Sequence, residues 1–114
     1  MKKALSARGA IELLESQQFS SVPPYCTSRQ LKYEWLYNNS KTFESNVRRY
    51  VQSNIPGKDV GLLAKDLYAS ASHDIHTNFN YGSEVVVRRS NYQRDHLKLL
   101  EAICQTLHVT IKKL

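Results

Sequence analysis

Glycine, proline, cysteine and methionine are scarce in this sequence of 114 residues, which contains 4 glycines, 3 prolines, 2 cysteines and 1 methionine. So little glycine and proline predicts few long irregular segments, because these residues dominate turns and loops. A chain of this length can bury one hydrophobic core without disulfides or structural metals. We therefore expect residues 1–114 to form a single domain.

The sequence also lacks any long apolar run, so it predicts no segment that crosses a membrane and no membrane partner. The first residues, MKKALSARGAIELLE, do not resemble a secretory signal peptide, because charged and polar residues interrupt every apolar block. Two isolated cysteines, Cys26 and Cys104, without an export signal are typical of reduced thiols. We expect an intracellular protein, cytoplasmic or nuclear.

Catalytic and metal-binding motifs are missing as well. The sequence contains no Gly-x-Ser-x-Gly, no glycine-rich phosphate loop, no Cys-x-x-Cys and no His-Glu-x-x-His. His73 and His76, like Cys104 and His108, are close in sequence but lack the partners of a zinc motif. The sequence thus predicts a non-enzymatic protein with no cofactor, no metal and no small-molecule substrate.

Positive charge is what the sequence has in excess. Sixteen Lys and Arg face 10 Asp and Glu, for a net charge of +6. Residues 1–57 contain eight basic and four acidic residues, whereas residues 58–114 contain eight and six. Such an excess favours polyanionic partners, nucleic acid foremost, and the more basic first half is the expected contact region.

Hydrophobic periodicity predicts helices over about 4–17, 28–38, 41–54 and 59–75. The final stretch predicts a strand at 84–88, a helix at 91–106 after a capping box of Ser90 and Gln93, and a strand at 108–112. A helical crossover between neighbouring strands makes them parallel. Two strands alone form a marginal sheet, so we expect a third from 20–26, from 74–81 or from a second subunit.

The predicted fold class is α+β, with about four to five helices and a small sheet. Residues 1–57 form its helical, basic, helix–turn–helix-like half, and residues 58–114 form a helix followed by the strand–helix–strand unit. Helices 28–38 and 41–54 are joined by Asn38, Asn39 and Ser40, which is the arrangement of a helix–turn–helix. An ordinary helical pair with a solvated outer face is the competing interpretation, because the connection lacks a glycine.

The helix at 41–54 is the expected contact element, since its polar face bears the side-chain types that bind base edges and phosphates. These residues are Ser45, Asn46, Arg48, Arg49 and Gln52. Further phosphate contacts are expected from Arg29, Lys32, Lys41, Arg88 and Arg89.

We therefore predict a nucleic-acid-binding domain, with DNA favoured over RNA as its partner. The alternative is a protein–protein interaction or self-association module, such as a homodimer or an adaptor or inhibitor in a larger complex. This alternative depends on the tyrosines and the tryptophan between residues 25 and 50, because aromatic residues and arginine are enriched at protein interfaces.

Overall fold

A computed structural model describes residues 3–51, 54–71 and 82–114 of the chain. Within these residues, a block of four helices lies between the first and second strands, and a fifth helix connects the second strand to the third. The elements are β1 (Lys3–Leu5), α1 (Ala7–Gln18), α2 (Arg29–Asn39), α3 (Lys41–Tyr50), α4 (Gly57–Ala71), β2 (Gly82–Val87), α5 (Arg94–Leu107) and β3 (Thr110–Lys113), with short 3-10 turns at Phe19–Ser21 and Arg89–Asn91.

Serine residues fix where the first three helices begin. The Oγ of Ser6, Ser28 and Ser40 accepts a backbone N–H three residues on, from Gly9, Leu31 and Phe43 at 3.0, 3.1 and 3.3 Å. Each cap satisfies one of the amides that a helix start leaves unpaired and is worth about 1 kcal/mol. The first helix therefore begins at residue 7, not at residue 4 as its apolar pattern predicts.

The three strands form one parallel sheet in the order β1-β2-β3. Leu5 pairs with Val85, and Val85 pairs with Ile111, so these three side chains share one face of the sheet. Leu5 and Val85 are buried there against the helices. The α+β class and the C-terminal order of strand, helix and strand are confirmed, and so is the parallel pairing of the last two strands.

Two details of the C-terminal prediction are wrong. Residues 89–91 form a 3-10 turn, so α5 begins at Arg94 instead of residue 91, and its cap residue Gln93 makes no side-chain capping bond. Ser90 therefore does not cap the helix. α5 ends at Leu107, and its C-cap residue His108 adopts left-handed geometry (φ 57°, ψ 39°), which turns the chain toward β3.

The third strand also differs from the prediction. Of the segments expected to supply it, 20–26 contains no strand and begins within the 3-10 turn of Phe19–Ser21, and 74–81 lie outside the described residues. β1 completes the sheet instead, beside β2. Three residues are too few to show the alternation of a strand, and their partner lies about 80 positions away, so local pattern could not reveal this pairing.

Helix packing sets the position of α3. α2 packs chiefly against α4, whereas α3 packs chiefly against α5. The core between the helices and the sheet contains the fully buried rings of Tyr33 and Phe43, whose centroids lie 5.9 Å apart. α3 contributes Phe43 and Val47 to this core, so its opposite side faces solvent.

Candidate nucleic-acid interface

The exposed side of α3 bears a row of polar and basic side chains. Lys41, Ser45, Arg48 and Arg49 are all exposed, and their spacing of four, three and one residues places them along one side of the helix. Phe43 and Val47 occupy the buried side. We call these four residues the α3 basic face. Gln52, predicted to belong to it, lies outside the described residues.

Arg48 is held in place by its neighbours. Its Nε lies 3.6 Å from Glu44 Oε1, and its Nη1 donates to Asn54 Oδ1 at 3.2 Å. The guanidinium carbon lies 5.3 Å from the centroid of the Tyr37 ring, within range of a cation–π interaction. The Arg48 side chain is nevertheless 50% exposed, so its outer N–H groups remain available to a phosphate.

Arg49 differs from Arg48 in that no ion pair or hydrogen bond engages its guanidinium within the part of the chain that the structure describes. Both arginines lie in the last turn of α3, where a positive charge complements the helix dipole. Arg49 thus offers a full set of donors to an anion in solution, while Arg48 is pre-oriented beside it.

Asn46 lies inside the protein, contrary to the expectation that it contacts nucleic acid. It is 8% exposed, and its Nδ2 donates to Thr106 Oγ1 of α5 at 2.9 Å. The spacing already contained this signal, because Asn46 falls three residues after Phe43 and four before Tyr50 on the same side of α3. Its amide joins two helices and is not presented to a ligand.

Arg29 and Lys32 on α2 are engaged with other elements. Arg29 donates to both oxygens of Glu15, from Nε at 2.6 Å and Nη2 at 3.0 Å, and lies 3.6 Å from the centroid of the Tyr68 ring. The hydrogen bonds to Glu15 raise the pKa of Arg29, although burial opposes this. Lys32 lies 5.3 Å from the centroid of the Phe19 ring. Arg29 therefore ties α2 to α1 and α4.

Arg88 and Arg89 form a separate basic cluster. Both are exposed, and they follow β2 at the end where α5 begins. α3 contacts the opposite end of α5, through the Asn46–Thr106 bond and a bond from Tyr50 Oη to Gln105 Oε1 at 3.2 Å. About 16 Å of helix separates residues 94 and 105, so the two basic regions lie near opposite ends of α5.

The junction between α2 and α3 is shorter than a helix–turn–helix connection. Asn38 and Asn39 are the last residues of α2, and Ser40 alone separates the two helices. Ser40 has extended geometry (φ −104°, ψ 106°), and it both ends α2 and caps α3. The predicted three-residue turn of Asn38, Asn39 and Ser40 is therefore wrong, and α2 and α3 pack chiefly against different partners.

The described ranges also show how possible metal ligands, a buried thiol and the helices are arranged. No group of three or more His, Cys, Asp and Glu side chains there is arranged to hold a metal ion. Burial, with the nearby charge of Glu101, raises the pKa of the Cys104 thiol to about 12, which keeps it protonated at neutral pH. In residues 3–51, 54–71 and 82–114, no helix has the length and apolar character needed to span a bilayer.

Comparison with known proteins gives no relative: neither a protein family, nor a curated protein, nor a solved structure matches the chain.

Proposed function

We propose that this chain is a non-enzymatic, intracellular nucleic-acid-binding protein whose α3 basic face contacts the phosphates of DNA. The observation that carries this proposal is the alignment of Lys41, Ser45, Arg48 and Arg49 on one exposed side of a helix. Lysine and arginine neutralise phosphates and release counterions, and serine donates to phosphate oxygens. Cys26 and Cys104 are both free thiols, which is consistent with a reducing compartment.

The α3 basic face favours contacts with the backbone over readout of bases. Asparagine and glutamine are the residues that pair with adenine in the major groove, and Asn46 is buried against α5. The exposed residues of the face are those that contact phosphates. We therefore propose that this face binds nucleic acid with weak sequence preference. We propose DNA rather than RNA as the main partner.

Random-sequence duplex DNA provides the test, with affinity measured by fluorescence anisotropy as a function of salt. Arg48→Ala combined with Arg49→Ala should weaken binding at least tenfold near 50 mM salt, because two phosphate contacts are lost. The slope of log affinity against log salt should become shallower by about 1.8, or 0.9 for each contact. An RNA duplex of the same sequence measures the preference for DNA.

Lys58→Ala combined with Lys65→Ala is the matched control, since both lysines are exposed on α4 and the charge change is the same. This control should reduce affinity far less than the arginine pair. Undetectable binding at low salt, or an equal salt slope for the arginine variant and the wild type, contradicts the proposal.

A protein-interaction module is the second candidate, and exposed leucines favour it. Gly57 of α4 lies against Asn38, and Gly61 against Gln30 and Glu34, so α2 and α4 run antiparallel. In this arrangement Leu31 and Leu62, which are 42% and 47% exposed, lie on the solvent side of the same helix pair. Light scattering separates the candidates: a dimer indifferent to DNA supports the module, and a strict monomer that binds DNA contradicts it.

A further inference from the structure

β3 forms one edge of the sheet. The strand order β1-β2-β3 places β3 beside β2, and among the described residues no strand pairs with its other side. An edge strand presents a row of unpaired backbone N–H and C=O groups, which is a template for a further strand. β1, the opposite edge, has only three residues, so the four residues of β3 offer the longer edge.

Backbone hydrogen bonds show which residues of β3 direct these groups outward. The Leu114 N–H donates to the Val87 carbonyl oxygen at 2.8 Å, and the Arg89 N–H donates to the Leu114 carbonyl oxygen at 3.2 Å. Both backbone groups of Leu114 therefore point toward β2. Because successive residues of a strand direct their N–H and C=O groups to opposite sides, those of Ile111 and Lys113 point away from β2.

A cleft of about 270 Å³ adjoins this edge, where β3 meets the C-terminal ends of α3 and α5. All of its lining residues from the sheet belong to β3, so the cleft lies beside the outer edge. A cavity of about 150 Å³ with apolar walls is enough to bind benzene, so the cleft can hold one phenyl ring. Its apolar walls are Tyr50, Cys104, Val109 and Ile111.

The charged group in the wall of the cleft is already paired. Lys113 donates a hydrogen bond to Glu101 Oε1, and Lys98 Nζ lies 3.4 Å from Glu101 Oε2. Two lysines thus neutralise this carboxylate. Gln105 Oε1 accepts a hydrogen bond from Tyr50 Oη at 3.2 Å. The cleft is therefore suited to an apolar side chain.

Side chains of β3 alternate between the cleft and the open face of the sheet. Ile111 shares the helix side with its pairing partner Val85 and lines the cleft. Lys112 lies on the opposite side and is exposed. In an added strand, the residue opposite Ile111 directs its side chain to the cleft side, and its two neighbours direct theirs to the side of Lys112. The edge therefore fits a strand in which an apolar residue lies between two acidic ones.

We propose that β3 accepts an extended segment of a partner protein as a fourth strand, with an aromatic side chain in the cleft and acidic side chains beside Lys112. In this mode of recognition, backbone hydrogen bonds give affinity and pockets for alternate side chains give specificity. A second copy of the chain fits less well, because its own β3 would bring lysines against Lys112 and Lys113, and like charges across strands are destabilising. The proposal does not depend on nucleic-acid binding.

A capped peptide, Ser-Thr-Glu-Phe-Glu-Thr-Ser, tests the edge with the unmodified protein. In an NMR titration the amides of Ile111 and Lys113 should shift and become protected from hydrogen exchange. The Leu114 amide, which already bonds to Val87, should change little. Replacing the phenylalanine by alanine should weaken binding at least about tenfold, because the burial of the ring is lost. No shift of the Ile111 amide at millimolar peptide, or equal affinities of the two peptides, overturns the proposal.

N-methylation distinguishes strand pairing from a side-chain contact alone. Successive amides of an extended peptide point to opposite sides, so a methyl group on the phenylalanine nitrogen and one on the next glutamate nitrogen lie on opposite edges. One should weaken binding at least about tenfold, because it removes a donor to β3, and the other should have little effect. Sensitivity at the phenylalanine indicates antiparallel pairing, and sensitivity at the glutamate indicates parallel pairing. Equal effects overturn the proposal.

Lys112→Glu tests the charge of the partner. It should weaken binding of the acidic peptide at least about threefold and strengthen binding of the same peptide with lysine in place of both glutamates. Lys58→Glu, which makes the same charge change at an exposed residue of α4, is the matched control and should do neither. Equal effects of the two variants overturn the acidic partner. Protection of the Ile111 amide without peptide, in a protein that light scattering shows to be a dimer, would place a second copy on the edge and overturn the proposal as well.

Discussion

Asn46 of α3 donates a hydrogen bond to Thr106 of α5, with 2.9 Å between Nδ2 and Oγ1. Thr106 in turn donates from its hydroxyl to the carbonyl oxygen of Ala102, also at 2.9 Å, so its lone pairs remain for Asn46. This pair fixes α3 against α5 and thereby determines which side of α3 faces solvent. An uncharged amide inside the interface thus orients the charged side chains outside it.

Asn46→Ala should lower the free energy of unfolding by about 1–2 kcal/mol, because the Thr106 hydroxyl loses its donor in a partly buried position. Urea unfolding measures this loss. Ser45→Ala is the matched control on the exposed side, and it should change stability by less than about 0.5 kcal/mol. Reduced DNA affinity of Asn46→Ala without any loss of stability would show that the amide contacts nucleic acid directly.

Arg29 is the second predicted contact residue for which the structure assigns an internal role. The Glu15 side chain is 12% exposed. Among the described residues, Arg29→Met leaves its carboxylate with one donor, the hydroxyl of Tyr33 at 3.3 Å. We expect a loss of about 2 kcal/mol, less than for a fully buried pair, because the Arg29 side chain is 33% exposed. Thermal or urea unfolding measures it.

Arg29→Lys tests the geometry of this ion pair. Lysine retains the charge but lacks the planar guanidinium that bonds both oxygens of Glu15. The stability of Arg29→Lys should therefore fall between those of the wild type and Arg29→Met. Arg49→Met is the control, because it makes the same replacement at an exposed arginine. It should change stability by less than about 0.5 kcal/mol. If Arg29→Met were as stable as Arg49→Met, the pair with Glu15 would contribute nothing to folding.

From the sequence alone, we could predict the helical block, the C-terminal strand–helix–strand order and the exposed side of α3. Each of these features depends on local periodicity and capping. Contacts between residues that are far apart in the sequence could not be predicted in this way. β1 pairs with β2 about 80 residues away, and Arg29 bonds to Glu15 across two helices. Asn46 is the intermediate case, since the spacing placed it on the buried side of α3 while its polarity suggested the exposed one.

Gly61 allows α4 to approach α2 closely. A Cβ at this position would lie 2.4 Å from the backbone carbonyl oxygen of Gln30, so the two helices would have to separate. Gly61→Ala should therefore destabilise the protein by about 1–3 kcal/mol, as overpacking does, even though alanine is the better helix former. The free energy of unfolding in urea is the measurement.

Gly57→Ala in the same helix is the control. Its Cβ would meet the end of the Asn38 side chain, which is exposed and can rotate away. We expect a change within about 0.5 kcal/mol, so the two alanine variants should differ by at least about 1 kcal/mol. Equal stabilities would mean that the α2–α4 contact adjusts freely.

Cys104 makes stability depend on pH in the alkaline range. Its thiol pKa is raised from 9.0 to about 12, first by burial and then by the charge of Glu101. Between these two values the unfolded chain loses the thiol proton while the folded protein retains it. The unfolded state then binds fewer protons, so the free energy of unfolding falls as pH rises, by about 1.4 kcal/mol per pH unit for this one group.

Cys104→Ala removes that contribution. With both proteins in a Cys26→Ala background, the stability advantage of Cys104 over alanine should be constant up to about pH 8, where neither state loses the proton. Above about pH 9 it should shrink by about 1.4 kcal/mol per pH unit. Urea unfolding at several pH values between about 7 and 10.5 measures both slopes. Because every other ionisable group is common to both proteins, only the difference between the slopes reports on Cys104. Parallel slopes would show that its thiol ionises in the folded protein as readily as in the unfolded chain.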